Sequence, residues 1–339
     1  MPKQPLLNVK ELRTHFNTER GRVTAVDGVN FRVDEGEMLG LVGESGCGKS
    51  VTSQSILRLF DEKNTAKYEG EVEFRGENLL KLSNEKMENI RGNDIVMIFQ
   101  DPLSSLNPVY TIGYQIAEAI LLHQKVSKKV AYSKAVDMLR LTGIPSPEKR
   151  VNEYPHQLSG GMQQRAMIAI ALSCQPQLLI ADEPTTALDV TIQSQILDLI
   201  EQLNKKLGMG VIFITHDLGV VAELCSRVVV MYLGQIVEEA DTDSLFTNPL
   251  HPYTKGLIQS IPQMDGDRSQ DLHVIKGVVP SLENVPKGCR FAPRCPYADD
   301  LCKEEMPELK SYTETQKIRC WHVDEIAKKG EEQYAKSSK

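Results

Sequence analysis

No apolar run in this 339-residue chain approaches the roughly 18 residues that a membrane span requires. Any role at a membrane therefore has to come through partners. The opening residues, Met1 to Leu7, carry no signal-peptide core, and the expectation is a cytosolic protein. Internal repeats and heptad runs are absent, which excludes a solenoid and a long coiled coil. Excess positive charge is lacking too. Against 46 Asp and Glu there are 39 Lys and Arg, and the formal charge of −7 argues against a broad nucleic-acid footprint. Seven cysteines, an odd number without a secretory context, do not make a disulfide framework. Paired C-x2-C knuckles, the usual zinc signature, are missing. What remains has the apolar and charged content of a soluble protein, with length for two or three domains.

The texture is that of an α/β protein with an insert. Met38-Leu39-Gly40-Leu41-Val42, Ile95 to Phe99, Leu178 to Ala181 and Val211 to Ile214 are short apolar runs of the kind that form buried parallel strands. Strands are also predicted at Val23 to Val33, Tyr68 to Phe74, Val228 to Tyr232 and Gln235 to Glu238. Helices are predicted at Ser50 to Leu59, Ile112 to His123, Lys128 to Leu141, Gly160 to Ser173 and Thr191 to Leu207. In the third of these Ala131, Ala135, Met138 and Leu139 share a face. In the fourth Met162, Ala166, Ala169 and Ile170 do. Beyond Asn248-Pro249 the chain becomes rich in Pro and Gly and ends in a polar tail expected to be disordered.

Two separated stretches carry phosphate chemistry. Gly43-Glu44-Ser45-Gly46-Cys47-Gly48-Lys49-Ser50 fits G-x-x-x-x-G-K-[ST], whose backbone N–H groups cradle phosphates. A chance match in a chain this long is of order one in a hundred. Lys49 can reach the β- and γ-phosphates, Ser50 can ligate Mg²⁺, and Val51 continues the helix that opens there. Leu158-Ser159-Gly160-Gly161-Met162-Gln163 is a second anion turn at a helix start. Asp182-Glu183 closes a buried strand. Asp182 is placed to hold the metal, and Glu183 to act as general base on an attacking water. His216 follows another buried strand, where it could hydrogen-bond the γ-phosphate. Gln100 follows Phe99 and could touch Mg²⁺ or the water. Cys47 in the phosphate loop is either an oxidation target or a small loop residue.

The set Gly43 to Ser50, Gln100, Leu158 to Gln163, Leu178 to Glu183, Ala187-Leu188-Asp189 and His216, in this order, resembles the ATP-binding cassette family over about residues 6 to 262. The resemblance implies the Walker A loop, Q-loop, signature, Walker B strand, D-loop and H-loop respectively. It implies a RecA-like P-loop core with an antiparallel β subdomain, a helical subdomain over about 102–173, and ATP with Mg²⁺ as bound species. It further implies a clasped pair of cassettes, in which Ser159, Gly160 and Gly161 of one copy cover the γ-phosphate bound by the other and Asp189 crosses the interface. Phe16 is the candidate to stack on adenine, with a plain core aromatic as the alternative.

Two local stretches are similar to dipeptide and oligopeptide importer subunits: Phe99 to Pro108, with Asp101-Pro102-Leu103-Ser104-Ser105 at its centre, and Asn248-Pro249-Leu250-His251-Pro252-Tyr253-Thr254. That resemblance implies a second ATPase subunit, identical or different, two membrane-spanning permease subunits and an external peptide-binding protein. The chain would then sit peripherally on the cytoplasmic face of the membrane. Importers of another solute such as nickel share much of this pattern. A soluble cassette ATPase with a redox-sensing tail is a further alternative. The plain reading of the His251 segment is a helix-capping loop. Residues 263–339 form a small C-terminal domain in this scheme, with the spacing Cys289-x5-Cys295-x6-Cys302-x17-Cys320. Four thiolates can hold a [4Fe–4S] cluster or Zn²⁺. The family resemblance points to iron–sulfur, while zinc, with His322 able to replace one thiolate, and plain packing cysteines stay open.

Overall fold

A computed structural model describes residues 4–19, 21–63, 65–100, 105–186, 188–261 and 274–328. The predicted disordered tail lies outside the described residues, as do 101–104 of the Phe99 stretch and Ala187. The chain divides into two compact units, each assembled from separated stretches.

The first unit comprises Met1–Leu7, Val33–Met38 and Phe74–Ile214. Its sheet is parallel. Ile95–Ile98 pairs with Leu178–Asp182, which pairs with Gly210–Thr215, and Asp182 lies opposite Ile214. Every residue of the latter two strands is buried, as their unbroken apolar runs require. Helices Ile112–His123, Lys128–Leu141 and Gly160–Leu172 surround a separate apolar cluster built on Ile112, Ile116, Ala131, Ala135, Leu139, Ala166 and Ala169. The inward faces expected from spacing are the ones buried, with Met138, Met162 and Ile170 packed at the margin. Thr111 and Ser127 cap the first two helices by accepting the N–H groups of Tyr114 and Val130. Helix Val190–Leu207 runs from its Asp189 cap to Gly208 at φ 63°, and buries Ile196, Ile200 and Leu203 on one stripe.

The second unit comprises Asn8–Arg32, Leu39–Glu73 and Thr215–Lys339. Strand Met38–Val42 lies parallel to Arg227–Tyr232, which pairs antiparallel with Gln235–Asp241. The C-terminal segment extends this sheet. Gln316–Ile318 pairs with Glu238 to Ala240, and Lys310–Ser311 pairs with Gln316–Ile318. A second sheet places Leu7–Thr18 between Gly21–Val33 and Ala66–Phe74.

Several expected boundaries move. The helix after the phosphate loop is Lys49–Ile56 rather than Ser50 to Leu59, because Arg58 turns to φ 49°. Strand Leu7–Thr18 is absent from the sequence reading. Helix Asn84–Ile90, capped by Ser83, was also missed. The strand predicted at Gln235 to Glu238 continues to Asp241, across a bulge between Ile236 and Glu238. Among the described residues no helix is long and apolar enough to cross a membrane.

Candidate functional site

The phosphate loop belongs to the second unit. Strand Met38–Val42 feeds it, and helix Lys49–Ile56 leaves it with no side-chain cap at Gly48. Gly43 at φ 151° and Gly48 at φ 104° are forced choices. A Cβ on Gly43 would stand 2.3 Å from the Met231 carbonyl oxygen, and one on Gly48 would stand 2.8 Å from that of Ala25. Gly46 at φ 77° faces open space. The Lys49 ammonium is buried and donates to the carbonyls of Gly43 at 2.7 Å and Glu44 at 3.1 Å. It is thus folded back onto the loop that it would leave for a phosphate. Ser45 is exposed, and Ser50 and Val51 are half-buried. Cys47 is 1% exposed, and burial pushes its thiol up, so packing overturns the reading of it as an oxidation target.

The acidic pair belongs to the first unit. Asp182 is 4% exposed at the end of its strand. Glu183 follows at φ 47°, left-handed for a residue that is not glycine, with its N–H bonded to the Ile214 carbonyl at 2.9 Å. One carboxylate oxygen, Oε2, accepts from Gln100 Nε2 and from Thr186 Oγ1, each at 2.9 Å. The structure therefore brings together Gln100 and Glu183, residues 83 positions apart. Thr186 was missed, although its place three residues after Glu183 offered a signal. Both donors grip the same oxygen.

The signature turn lies in the same unit. Ser159 and Gly160 are exposed at the start of helix Gly160–Leu172, and Ser159 Oγ accepts the Met162 N–H at 3.4 Å. A Cβ on Gly160 would meet nothing within 4 Å, whereas one on Gly161 would stand 2.9 Å from Ile192. Gln164 Nε2 donates to the Pro184 carbonyl at 2.5 Å, joining this helix to the segment just after Glu183. Sequence reasoning missed that contact. Asp189 is exposed, and its carboxylate accepts the Ile192 N–H at 2.9 Å as the helix cap. His216, in the second unit, is exposed just beyond strand Gly210–Thr215. Phe16, also in the second unit, is half-buried with its ring edge-on to Phe60 at 4.8 Å.

The C-terminal cysteines lie in the second unit. Cys302 is buried, and Cys289, Cys295 and Cys320 are half-buried. Burial pushes all four thiols up, Cys295 to about 11 and Cys320 to about 12, and the Cys320 thiol also feels Cys295, Cys289 and Cys302. The Cys289 N–H donates to the Cys302 carbonyl at 2.8 Å. The Ala292 N–H donates to the Cys289 carbonyl at 3.0 Å, and the Ala298 N–H to the Cys295 carbonyl at 3.3 Å. Among the described residues the one tight group of potential metal ligands is Asp299, Cys302 and His322, within 4.8 Å of one another. His251 is a cap, as the plain reading expects: its Nδ1 accepts the Tyr253 N–H at 3.1 Å.

A glycine loop with a buried ammonium, a second anion turn and an anchored carboxylate define a nucleotide-hydrolysing cassette. Comparison agrees. The family model for ABC transporters matches residues 26–186, and that for the oligopeptide/dipeptide transporter C-terminal region matches residues 237–302. A probable peptide ABC transporter ATP-binding protein, y4tR of Sinorhizobium fredii, is 56% identical over 95% of this chain and 96% of its own length. The oligopeptide transport ATP-binding protein OppD of Bacillus subtilis is 51% identical over 96% of this chain and 91% of its own. The dipeptide transport ATP-binding protein DppD of Haemophilus influenzae is 48% identical over 93% and 94%. A dimeric post-hydrolysis state of the ATP-binding cassette MJ0796, bound to ADP and Pi, superposes with a TM-score of 0.63 at 28% identity, covering 70% of this chain and 98% of that one. The chain belongs to the oligopeptide/dipeptide branch of the ABC transporter ATP-binding proteins.

Proposed function

We propose that this chain is the motor subunit of an importer that hydrolyses MgATP to drive uptake of dipeptides or oligopeptides. The carrying observation is the Glu183 carboxylate, anchored at the end of its buried strand by Gln100 and Thr186. The peptide substrate is inferred from the relatives, whose names specify peptide, oligopeptide and dipeptide transport.

In the proposed cycle Lys49 leaves its two loop carbonyls for the β- and γ-phosphates, and the N–H groups from Gly46 to Val51 hold the phosphate oxygens. Ser50, Gln100 and Asp182 would hold Mg²⁺, which supplies charge neutralisation between the phosphates. Water attacks the γ-phosphorus and the bond to the bridging oxygen breaks with its electron pair leaving on ADP. Glu183 takes the water's proton, and His216 steadies the γ-phosphate. Phe16 would stack on adenine. Ser159, Gly160 and Gly161 of a second copy or a homologous ATPase cover the γ-phosphate, with Asp189 at that interface. The dimeric cassette among the structural neighbours supports this pairing. Two permease subunits and an external peptide-binding protein complete the assembly at the cytoplasmic face of the membrane.

Cys289, Cys295, Cys302 and Cys320 would hold a [4Fe–4S] cluster, whose chemistry here is structural or redox-sensing. The support is four cysteines gathered in one short C-terminal stretch. Zinc is the alternative occupant of these four cysteines.

The test is Glu183→Gln in the assembled transporter. ATP binding is retained, and turnover and peptide uptake are lost; unchanged turnover would refute the assignment. Cys295→Ser tests the centre separately: the anaerobically purified wild type is brown and the variant colourless, whereas colourless wild-type protein containing zinc would refute the cluster.

A further inference from the structure

Between Cys289 and Cys295 the chain carries Arg290, Phe291 and Arg294, and the last of these reaches the phosphate loop. The Arg294 side chain is 3% exposed. Its Nη1 donates to Glu44 Oε2 at 2.6 Å and its Nη2 to Glu44 Oε1 at 3.0 Å, a two-pronged pair across 250 residues of sequence. The remaining guanidinium donors are engaged as well: Nε with the Lys276 carbonyl and Nη2 with that of Ile275, each at 3.2 Å. The guanidinium carbon lies 5.8 Å from the Tyr232 ring centre and 5.9 Å from that of Phe291.

Glu44 is fixed at every polar group. Its carboxylate takes Arg294, its N–H donates to Tyr253 Oη at 2.7 Å, and its carbonyl takes the Lys49 ammonium at 3.1 Å. Tyr253 in turn packs on Phe291, with ring centres 5.4 Å apart. The cysteine segment thus holds the second residue of the phosphate loop by side chain and by backbone. Both contacts bear on the carbonyl that Lys49 must leave when a phosphate arrives.

We infer that Arg294 is a positioning residue for ATP: acting through Glu44, it pre-shapes the phosphate loop and couples nucleotide affinity to the state of the adjoining cysteine segment. The inference rests on reading Gly43 to Ser50 as the ATP loop. Pre-shaping lowers the cost of ordering the loop on binding, so its loss appears in affinity. Chemistry on bound ATP is untouched, because no Arg294 contact involves Gln100, Thr186 or Glu183.

The test titrates the full-length protein with MgATP. Arg294→Lys keeps the charge and loses the fork, Arg294→Gln loses both, and Glu44→Gln removes the partner. Each raises Kd about five- to tenfold, and the Arg294→Gln, Glu44→Gln double variant is no worse than the more severe single. In the assembled transporter the Arg294 variants raise KM while kcat at saturating ATP stays within about twofold. Cys295→Ser also raises Kd, but adds nothing in the Arg294→Gln background. A wild-type Kd in the Arg294 variants, or effects that multiply in the double variant, would overturn the positioning role. Additive effects of Cys295→Ser would overturn the coupling. Where an Arg294 variant does not fold, Glu44→Gln and Tyr253→Phe read the same contact from the loop side, and a wild-type Kd in both overturns the inference. Lys49→Ala separates the two layers: if it too binds ATP normally, the ATP-loop reading has failed rather than this one.

Discussion

The phosphate loop contains two glycines whose replacement by alanine has sharply different expected costs. At Gly43 the added Cβ stands 2.3 Å from the Met231 carbonyl oxygen, where real Cβ contacts do not fall below 3.0 Å. Strand and loop must separate by the difference, 3.0 minus 2.3, or about 0.7 Å. That overpacking costs about 1–3 kcal/mol, and the left-handed φ of 151° adds about 1–2 kcal/mol. At Gly46 the φ of 77° carries the same backbone cost, but the Cβ meets nothing within 4 Å. Gly43→Ala should therefore lower Tm by roughly 10 °C, and Gly46→Ala by only a few degrees. Binding should separate the variants differently. The methyl on Gly46 projects into the open face of the loop, so Gly46→Ala loses MgATP affinity by at least about tenfold while remaining folded. Thermal melts of the two proteins without nucleotide, followed by MgATP titration, check both statements. Equal melting temperatures, or a Gly43→Ala protein that melts and binds like the wild type, would refute the loop geometry.

Thr186→Val removes one of the two donors on Glu183 Oε2. Turnover should fall about five- to tenfold with KM for ATP unchanged, measured in the assembled transporter. His251 is fully buried and burial pushes it down to about 3, against about 6.5 in the unfolded chain. The sign follows directly. Below pH 6.5 the unfolded chain takes up a proton that the folded chain refuses, so stability falls with falling pH at about 1.4 kcal/mol per unit until pH 3. His251→Asn keeps a capping acceptor for the Tyr253 N–H and removes the titration. Its stability relative to the wild type, from urea midpoints, should improve by about 2 kcal/mol between pH 7.5 and pH 5; a constant difference would refute the burial argument.

Legibility in the sequence followed how local each determinant is. The glycine loop, the Asp182-Glu183 strand end, the caps and the inward faces around Ala131 and Ala166 are written in short spacings, and these were found. The strand Leu7–Thr18 was not, because Lys10, Glu11 and Arg13 interrupt its alternation and Glu11 turns to φ 48°. The strands Lys310–Ser311 and Gln316–Ile318 are too short to show a period; the second is created by pairing with Glu238 to Ala240 and the first by pairing with the second. Gln100 was placed near the chemistry by its position after a buried strand. Its actual partner, Glu183, required the parallel register of Ile98 with Ala181. The Arg294–Glu44 pair had no local signature, since its two ends are brought together only by the folded second unit.

The burial of Cys47 has a practical consequence for thiol chemistry on the native protein. Wedged beneath its own glycine turn and held protonated, that sulfur is screened from maleimides and peroxide alike. Alkylating reagents will instead find Cys174, which is half-buried and lies outside the carboxy-terminal group. Labels can thus be introduced without stripping out native cysteines, and retained nucleotide occupancy will report that the phosphate seat was spared.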